Sequence, residues 1–138
     1  MKKVLVAHDG SNAADRALME GISISGRYGA DLIVLSVVPN LCFTEIGIDC
    51  DTVSRLYRAE IEGTAEGIQS LLQEKNVKAE TIILEGNPVD VIVDHAREMG
   101  VDLVVVGSTG KQATERTVIG CVSSRVVANS PCSVLVVK

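Results

Sequence analysis

The sequence predicts a single α/β domain over residues 1–138, built on an open, parallel five-stranded sheet with helices on both faces. Five short runs rich in β-branched residues recur along the chain, and segments with helical periodicity fill the gaps between them. Such alternation requires a parallel sheet with right-handed crossovers. The runs at 31–38, 102–107 and 133–138 are apolar almost throughout, which is typical of strands covered on both faces.

Taken in chain order, strands are predicted over residues 3–8, 31–38, 79–85, 102–107 and 133–138. In the common order 3-2-1-4-5, strands 1 and 4 are neighbours and the chain reverses direction between them. Ligands bind at this switch point, beyond the carboxyl ends of the strands. Two loops would line it, "HDGSN" after strand 1 and "GSTGKQATERTVIG" after strand 4. The connection at 39–50 is the least regular.

Four helices are predicted between the strands. The first covers residues 12–28 and stops at Gly29, since glycine readily adopts the left-handed conformation that ends helices. The second covers 51–75, and the last follows Gly120. The third starts at "NPVD", with Asn87 as its cap and Pro88 in its first turn, and Gly100 lies beyond its end. The apolar positions at helical spacing are Ala14, Ala17, Leu18, Ile22, Val53, Leu56, Tyr57, Ile61, Ile68, Leu72, Val89, Ile92, Val93, Ala96, Val122, Val126 and Val127.

Composition excludes several classes of function. The net charge of −5 argues against general nucleic-acid binding, which relies on clustered Lys and Arg. Neither a secretory leader nor an apolar run long enough for a membrane span is present, so we expect no membrane association and a reduced cytoplasmic setting. The four cysteines show neither a CxxC pair nor zinc-ligand spacing, which favours ordinary thiols. They are Cys42, Cys50, Cys121 and Cys132.

The loop after strand 4 carries the main candidate site. It is not the usual ATP-binding loop, because Gly110-Lys111 is followed by Gln112 instead of Ser or Thr. However, Gly107 and Gly110 bracket a turn where a ligand could approach the backbone. Beyond them, Gly120 opens a helix whose first-turn amides, at Gly120, Cys121, Val122 and Ser123, favour an anion. Ser123 would add a hydroxyl donor, while Lys111 and Arg116 could assist phosphate or remain solvated.

Asp9 follows strand 1 directly and is the second candidate. Its carboxylate could accept hydrogen bonds from a ribose or base, or help to ligate Mg²⁺. Alternatively it caps the next helix, a role that Ser11 or Asn12 could fill instead. The two histidines, His8 and His95, have no evident nucleophile partner, so we expect solvent-facing or structural roles for them.

The glycine spacing resembles the nucleotide-binding signature of the universal stress protein family. Gly107 and Gly110 are separated by two residues, and Gly120 follows after nine more. The segments "AHDGS" after strand 1, "VLSVV" in strand 2 and the terminal "SPCSVLVVK" are also similar to that family, so the resemblance covers essentially the whole chain.

The resemblance implies a universal stress protein domain over 1–138, with a fold like that of the adenine nucleotide alpha hydrolases. It further implies ATP as ligand and, usually, a homodimer; Mg²⁺ could accompany the ATP through Asp9. By position, Ala7, Asp9 and Val37 would border the adenosine, with Val106 beneath it. Ribose and phosphates would be held around the glycines, by Gly107, Gly110, Gly120, Cys121, Val122 and Ser123.

One position departs from the family pattern, which has Ser or Thr directly after the third glycine. This chain has Cys121 there, and a thiol donates a poorer hydrogen bond than a hydroxyl. We therefore hypothesise that Cys121 weakens ATP binding and makes it redox-sensitive.

Several functions are compatible with this sequence. The leading interpretation is a regulatory binding module of the stress response whose nucleotide orders the 108–119 loop. A slow ATPase in the same crevice is an alternative, although no convincing general base or arginine is present, and so is a family member that binds no nucleotide. A phosphoacceptor domain is disfavoured by Glu85 at the end of strand 3, and a flavin module by its phosphate loop, which normally follows strand 1.

The last strand also predicts how the chain assembles. Residues 133–138 would form an edge of the sheet that is apolar on both faces, and such edges are usually covered. We therefore expect a homodimer that pairs through this segment.

Overall fold

A computed structural model describes residues 1–39, 50–109 and 120–138. In chain order the elements alternate strictly between strand and helix, as predicted. They are β1 (Lys3–Ala7), α1 (Asn12–Tyr28), β2 (Asp31–Pro39), α2 (Cys50–Glu74), β3 (Ala79–Gly86), α3 (Pro88–Met99), β4 (Leu103–Gly107), α4 (Cys121–Asn129) and β5 (Ser133–Val137).

The five strands form one parallel sheet in the order β3-β2-β1-β4-β5, which confirms the predicted fold class and topology. At the centre, Val6 of β1 is paired with Val34 of β2 on one side and with Val105 of β4 on the other. The carboxyl ends of β1 and β4 therefore lie side by side, at the point where the strand order reverses.

Two apolar cores cover the two faces of the sheet. One face packs against α1 and α2, through residues such as Val6, Leu18 and Leu72. The other packs against α3 and α4, through residues such as Leu35, Ile92 and Val126. Alternate residues of each strand serve opposite cores because successive side chains point to opposite faces. Burial on both faces explains why the central strands read as continuous apolar runs.

The predicted helix boundaries follow from local capping chemistry. Gly29 and Gly100 adopt the left-handed conformation at the ends of α1 and α3, with φ of 62° and 64°. The Asn87 side chain accepts hydrogen bonds from the backbone N–H groups of Val89 and Asp90 at the start of α3. These local predictions are confirmed.

Three apolar positions do not pack in the core as their helical spacing predicted. Leu56 on α2 is 67% exposed, and Val122 and Val127 on α4 are 40% and 48% exposed. Helical spacing identifies an apolar stripe, but the contact between helix and sheet decides which part of the stripe is buried. Among the described residues, no helix is long and apolar enough to cross a membrane.

Candidate functional site

A cavity of about 460 Å³ opens beyond the carboxyl ends of β1 and β4. It lies at the switch point of the sheet, where this topology places ligands. Its lining residues are Ala7, His8, Asp9, Ser11, Ala14, Leu35, Val37, Pro39, Tyr57, Ile61, Pro88, Ile92, Val106, Gly107, Thr109, Gly120, Cys121, Val122 and Ser123. The lining includes every predicted site residue that the structure describes. The other predicted residues of the loop, Gly110, Lys111 and Arg116, lie outside the described part of the chain, as does Cys42.

The amino terminus of α4 forms one wall of the cavity. Gly120 is the N-cap, in an extended conformation with φ −79° and ψ 167°, and it makes no side-chain hydrogen bond to the helix. An α-helix leaves the N–H groups of its first turn without intrahelical partners. Because Cys121, Val122 and Ser123 all line the cavity, this wall carries the partial positive charge of a helix start. Such a wall favours an anion.

Ser123 is buried, and its hydroxyl donates a hydrogen bond to the carbonyl oxygen of Gly107. This bond joins α4 to the end of β4. The hydroxyl was expected to be free to donate to a ligand, but its proton is already used within the protein. Nearby, the Gly120 N–H donates to the Ser108 carbonyl, and the Ser108 N–H donates to the Val137 carbonyl over 2.7 Å. These bonds fix the start of α4 against the ends of β4 and β5.

Asp9 lies at the mouth of the cavity, in the turn between β1 and α1. Its Oδ1 accepts from the Ser11 N–H over 2.9 Å, while the Ser11 hydroxyl accepts from the Ala14 N–H over 3.1 Å. Ser11, and not Asp9, therefore caps α1. Asp9 is exposed. Among the cavity-lining residues that the structure describes, it is the only one with a carboxylate. Within the described ranges, no group of three or more His, Cys, Asp or Glu side chains is placed to hold a metal ion.

His8 is buried to 3% exposure directly after β1, so it does not face solvent, and it lines the cavity. Its Nε2 lies 2.8 Å from Oδ1 of Asp15, and its Nδ1 lies 3.0 Å from the backbone nitrogen of Gly10. The ring thus connects the turn after β1 to the first turns of α1. The second histidine, His95, has a buried Nε2 with no hydrogen-bond partner among the described residues.

The apolar part of the cavity lining was only partly foreseen. Val37 was predicted, whereas Pro39, Tyr57, Ile61, Pro88 and Ile92 were not assigned to the site. Pro88 and Ile92 belong to the first turns of α3, which follows β3 and so starts at the same edge of the sheet. That position could have been inferred from topology. Tyr57 and Ile61, one turn apart on α2, carry no such signal because their placement depends on the path of α2.

Comparisons with known proteins agree with this architecture. The Universal stress protein family matches residues 1–138. A universal stress protein of Methanocaldococcus jannaschii is 33% identical over 139 residues, which cover 99% of this chain and 82% of that protein. The universal stress protein YxiE of Bacillus subtilis is 32% identical over 145 residues, covering 99% and 98% of the two chains.

Solved structures share the fold. The universal stress protein UspA from Lactobacillus plantarum superposes with a TM-score of 0.88 at 30% identity, covering 99% of this chain and 97% of that one. Two structures below 25% identity have the same fold, a universal stress protein in complex with cAMP (TM-score 0.76, 24% identity) and one from Archaeoglobus fulgidus in complex with dAMP (TM-score 0.73, 22% identity). They cover 99% and 100% of this chain, and 97% and 98% of their own.

A family match along the whole chain, the shared sheet order and the cavity at its switch point lead to one conclusion. This chain belongs to the universal stress protein family.

Proposed function

We propose that this chain binds an adenine nucleotide, with ATP as its ligand, and acts as a ligand-dependent regulatory module of the stress response. One observation carries the proposal: a single cavity joins an apolar slot to the amino terminus of α4. A nucleotide needs both, since its base is a planar ring with apolar faces and its phosphates are anionic. The cAMP and dAMP complexes of proteins with this fold support the choice of an adenine nucleotide.

The base would lie in the apolar slot. Ala7 and Val106 come from the central strands, and Val37 comes from the end of β2. Tyr57 on α2 adds an aromatic ring, which the sequence did not place there. Side chains of this kind bury a planar ligand by removing apolar surface from water.

The phosphates would lie at α4 and β4, against Gly107 and the amides of Cys121 and Val122. Backbone amides suit a protein with a net charge of −5, because they hold an anion without a basic surface. Ser123 would support this end indirectly, since its hydroxyl is bonded to Gly107. Asp9 would accept hydrogen bonds from the ribose, or hold Mg²⁺ through its second carboxylate oxygen.

We further propose that the protein works as a homodimer in the cytoplasm, paired through residues 133–138. In β5, Val134, Leu135, Val136 and Val137 are only half-buried, and β4 pairs with one side of the strand. The exposed Val127 on α4, a helix in contact with β5, would extend the apolar surface available to a second copy.

Isothermal titration calorimetry with ATP, ADP and AMP tests the ligand, together with mass spectrometry of what is released from freshly purified protein. We expect ATP binding, and a loss of at least tenfold in affinity in Ala7→Leu, where the larger side chain would fill the slot. Ala128→Leu makes the same change on an exposed face of α4 and should bind as wild type does. No released nucleotide and no ATP binding by calorimetry would contradict the proposal.

A further inference from the structure

The two halves of α2 meet different surroundings. Along the second half, buried apolar side chains recur at helical spacing, as Ile61, Ala65, Ile68 and Leu72. Along residues 51–60 every side chain is exposed or half-buried. The first turns of α2 therefore lie outside the packed core, although they belong to the same helix.

Tyr57 continues the buried stripe of α2 into the cavity. It lies four residues before Ile61, so the two side chains project from the same face of the helix. Ile61 is 7% exposed and borders both the core and the cavity, whereas Tyr57 is half-buried and lines the cavity. Among the lining residues that the structure describes, Tyr57 is the only aromatic one. An aromatic side chain on the core-facing stripe thus borders a cavity instead of a strand.

The cavity is lined from both helix layers of the molecule. Tyr57 comes from α2, which packs on the same face of the sheet as α1. The amides proposed to hold phosphate, at Cys121 and Val122, come from α4 on the other face. A ligand held by its phosphates at α4 must therefore extend across the edge of the sheet to reach the Tyr57 ring. The two fused rings of a purine reach further from the sugar, and offer more apolar surface, than the single ring of a pyrimidine.

The side chains around the apolar slot can distinguish the size of a base better than its polar edge. Ala7, Val37 and Val106 carry no polar side-chain atom. Both ring nitrogens of His8 and the hydroxyl of Ser123 already have hydrogen-bond partners within the protein. Shape and stacking area are therefore the properties that these side chains sense.

We propose that Tyr57 is a specificity-determining residue, whose ring stacks on the base and makes the site select purine over pyrimidine nucleotides. This inference rests on the proposed nucleotide site. A base gains affinity when its π-face lies on an aromatic side chain, and a larger overlap of the rings buries more surface. The effect needs the aromatic ring and not the phenol hydroxyl. Phenylalanine would therefore replace Tyr57, whereas leucine would fill similar space without a π-face.

The first test compares ATP with CTP, which carry the same ribose and triphosphate and differ only in the base. Calorimetry should find that wild type binds ATP more tightly than CTP. In Tyr57→Leu the affinity for ATP should fall about tenfold and that for CTP by no more than about threefold, so the ratio shrinks. Tyr57→Phe should keep the wild-type ratio. The matched control is Tyr28→Leu, the same change at a tyrosine that is 63% exposed, and it should bind both nucleotides as wild type does.

The second test detects stacking without any change at Tyr57. The chain has two tyrosines, so in Tyr28→Leu the tyrosine ring-proton signals belong to Tyr57 alone. Addition of ATP should move these signals upfield in proton NMR spectra, because a base stacked on the ring shields its protons. CTP at equal occupancy should move them less. Ring protons that keep their positions at saturating ATP would overturn the inference.

A purely structural role for Tyr57 predicts a different result. Loss of packing at α2 would weaken ATP and CTP binding by the same factor. An unchanged affinity ratio in Tyr57→Leu, or equal affinities of the wild type for ATP and CTP, would overturn the selection by Tyr57 while leaving nucleotide binding intact. Absence of binding of either nucleotide by the wild type would overturn the proposed function and, with it, this inference. If circular dichroism found Tyr57→Leu unfolded, the ring-proton shift in Tyr28→Leu would still decide.

Discussion

A Cβ atom built on Gly107 would lie 2.8 Å from the carbonyl carbon of Ala13 and 2.9 Å from the backbone nitrogen of Ala14. The end of β4 and the start of α1 are therefore in contact through backbone atoms. Gly107 was predicted for its approach to a ligand, but the absent side chain also serves the packing of α1.

Substitution Gly107→Ala should lower the free energy of unfolding by about 1–3 kcal/mol, because backbone atoms cannot move aside cheaply. Urea denaturation measures this. The control is Gly67→Ala on α2, where a Cβ meets nothing within 4 Å. That change should stabilise the protein by about 0.5–1 kcal/mol, since alanine favours helices. Equal effects in the two variants would show that Gly107 is not a packing requirement.

Ser123→Ala should lower the free energy of unfolding by about 1–3 kcal/mol, because it leaves the Gly107 carbonyl without the hydroxyl that donates to it. The neighbouring Ser124 is exposed, and its hydroxyl lies 3.3 Å from the Cys121 carbonyl oxygen. Ser124→Ala should stay within about 0.5 kcal/mol of wild type. Chemical denaturation of both variants measures these differences. A free energy of unfolding that is the same in Ser123→Ala and wild type would contradict this account.

Asp102 ties the start of β1 to the start of β4, and this contact should depend on pH. Its Oδ2 accepts from the Lys2 and Lys3 N–H groups over 2.6 and 3.0 Å. These bonds, that from Lys2 first, lower the pKa of Asp102 below the ordinary value for aspartate. The stabilisation is therefore complete above about pH 5, shrinks as the pH falls below the ordinary pKa of aspartate, and is lost as the pH falls through the lowered pKa.

Asp102→Asn should consequently be less stable than wild type at pH 7, and the difference should shrink in acid. Thermal unfolding at a series of pH values measures the difference. Asp94→Asn is the control, since Asp94 and Arg97 form an exposed ion pair over 3.4 Å that should contribute less than about 1 kcal/mol. A difference between Asp102→Asn and wild type that stays constant down to pH 2 would refute this assignment.

Cys121→Ser should raise the affinity for ATP about two- to tenfold, because a hydroxyl in the first turn of α4 donates a better hydrogen bond than the exposed thiol. Hydrogen peroxide should weaken ATP binding by the wild type and by Cys132→Ser, but not by Cys121→Ser, since oxidation adds polar bulk at the cavity wall. Calorimetry before and after oxidation provides the measurement. The redox hypothesis would be wrong if Cys121→Ser bound ATP no more tightly than wild type and if oxidant left the ATP affinity of wild type unchanged.

The proposed dimer can be tested at one backbone position. The Val137 carbonyl accepts from Ser108, so the backbone of Val137 faces β4 and that of Val136 faces the opposite edge. Proline is tolerated at an edge position whose N–H points outwards. Light scattering should find a wild-type dimer at micromolar concentration and a folded monomer for Val136→Pro. A monomeric wild type would count against pairing through β5.

Most of the fold was predictable because its signals are local. Asn87 and Gly29 act on their own backbone neighbours, and strand order follows from alternation and handedness. The exposure of Leu56 was not predictable, because it depends on how α2 meets the sheet. The same holds for Tyr57 in the cavity wall. The contact of His8 with Asp15 could have been predicted. The two residues are only seven apart, and a short turn brings the end of β1 close to the first turn of α1.

The position of Tyr57 gives this protein a built-in optical reporter. The chain has no tryptophan and only two tyrosines, so tyrosine fluorescence is not quenched by energy transfer to an indole. Tyr28 ends α1 and is 63% exposed. It lies near the amino end of β2, whereas the cavity lies at the carboxyl ends of the strands. A change in ultraviolet fluorescence on adding a ligand would therefore originate at Tyr57, and Tyr28→Phe would leave a single-fluorophore protein for titration without any label.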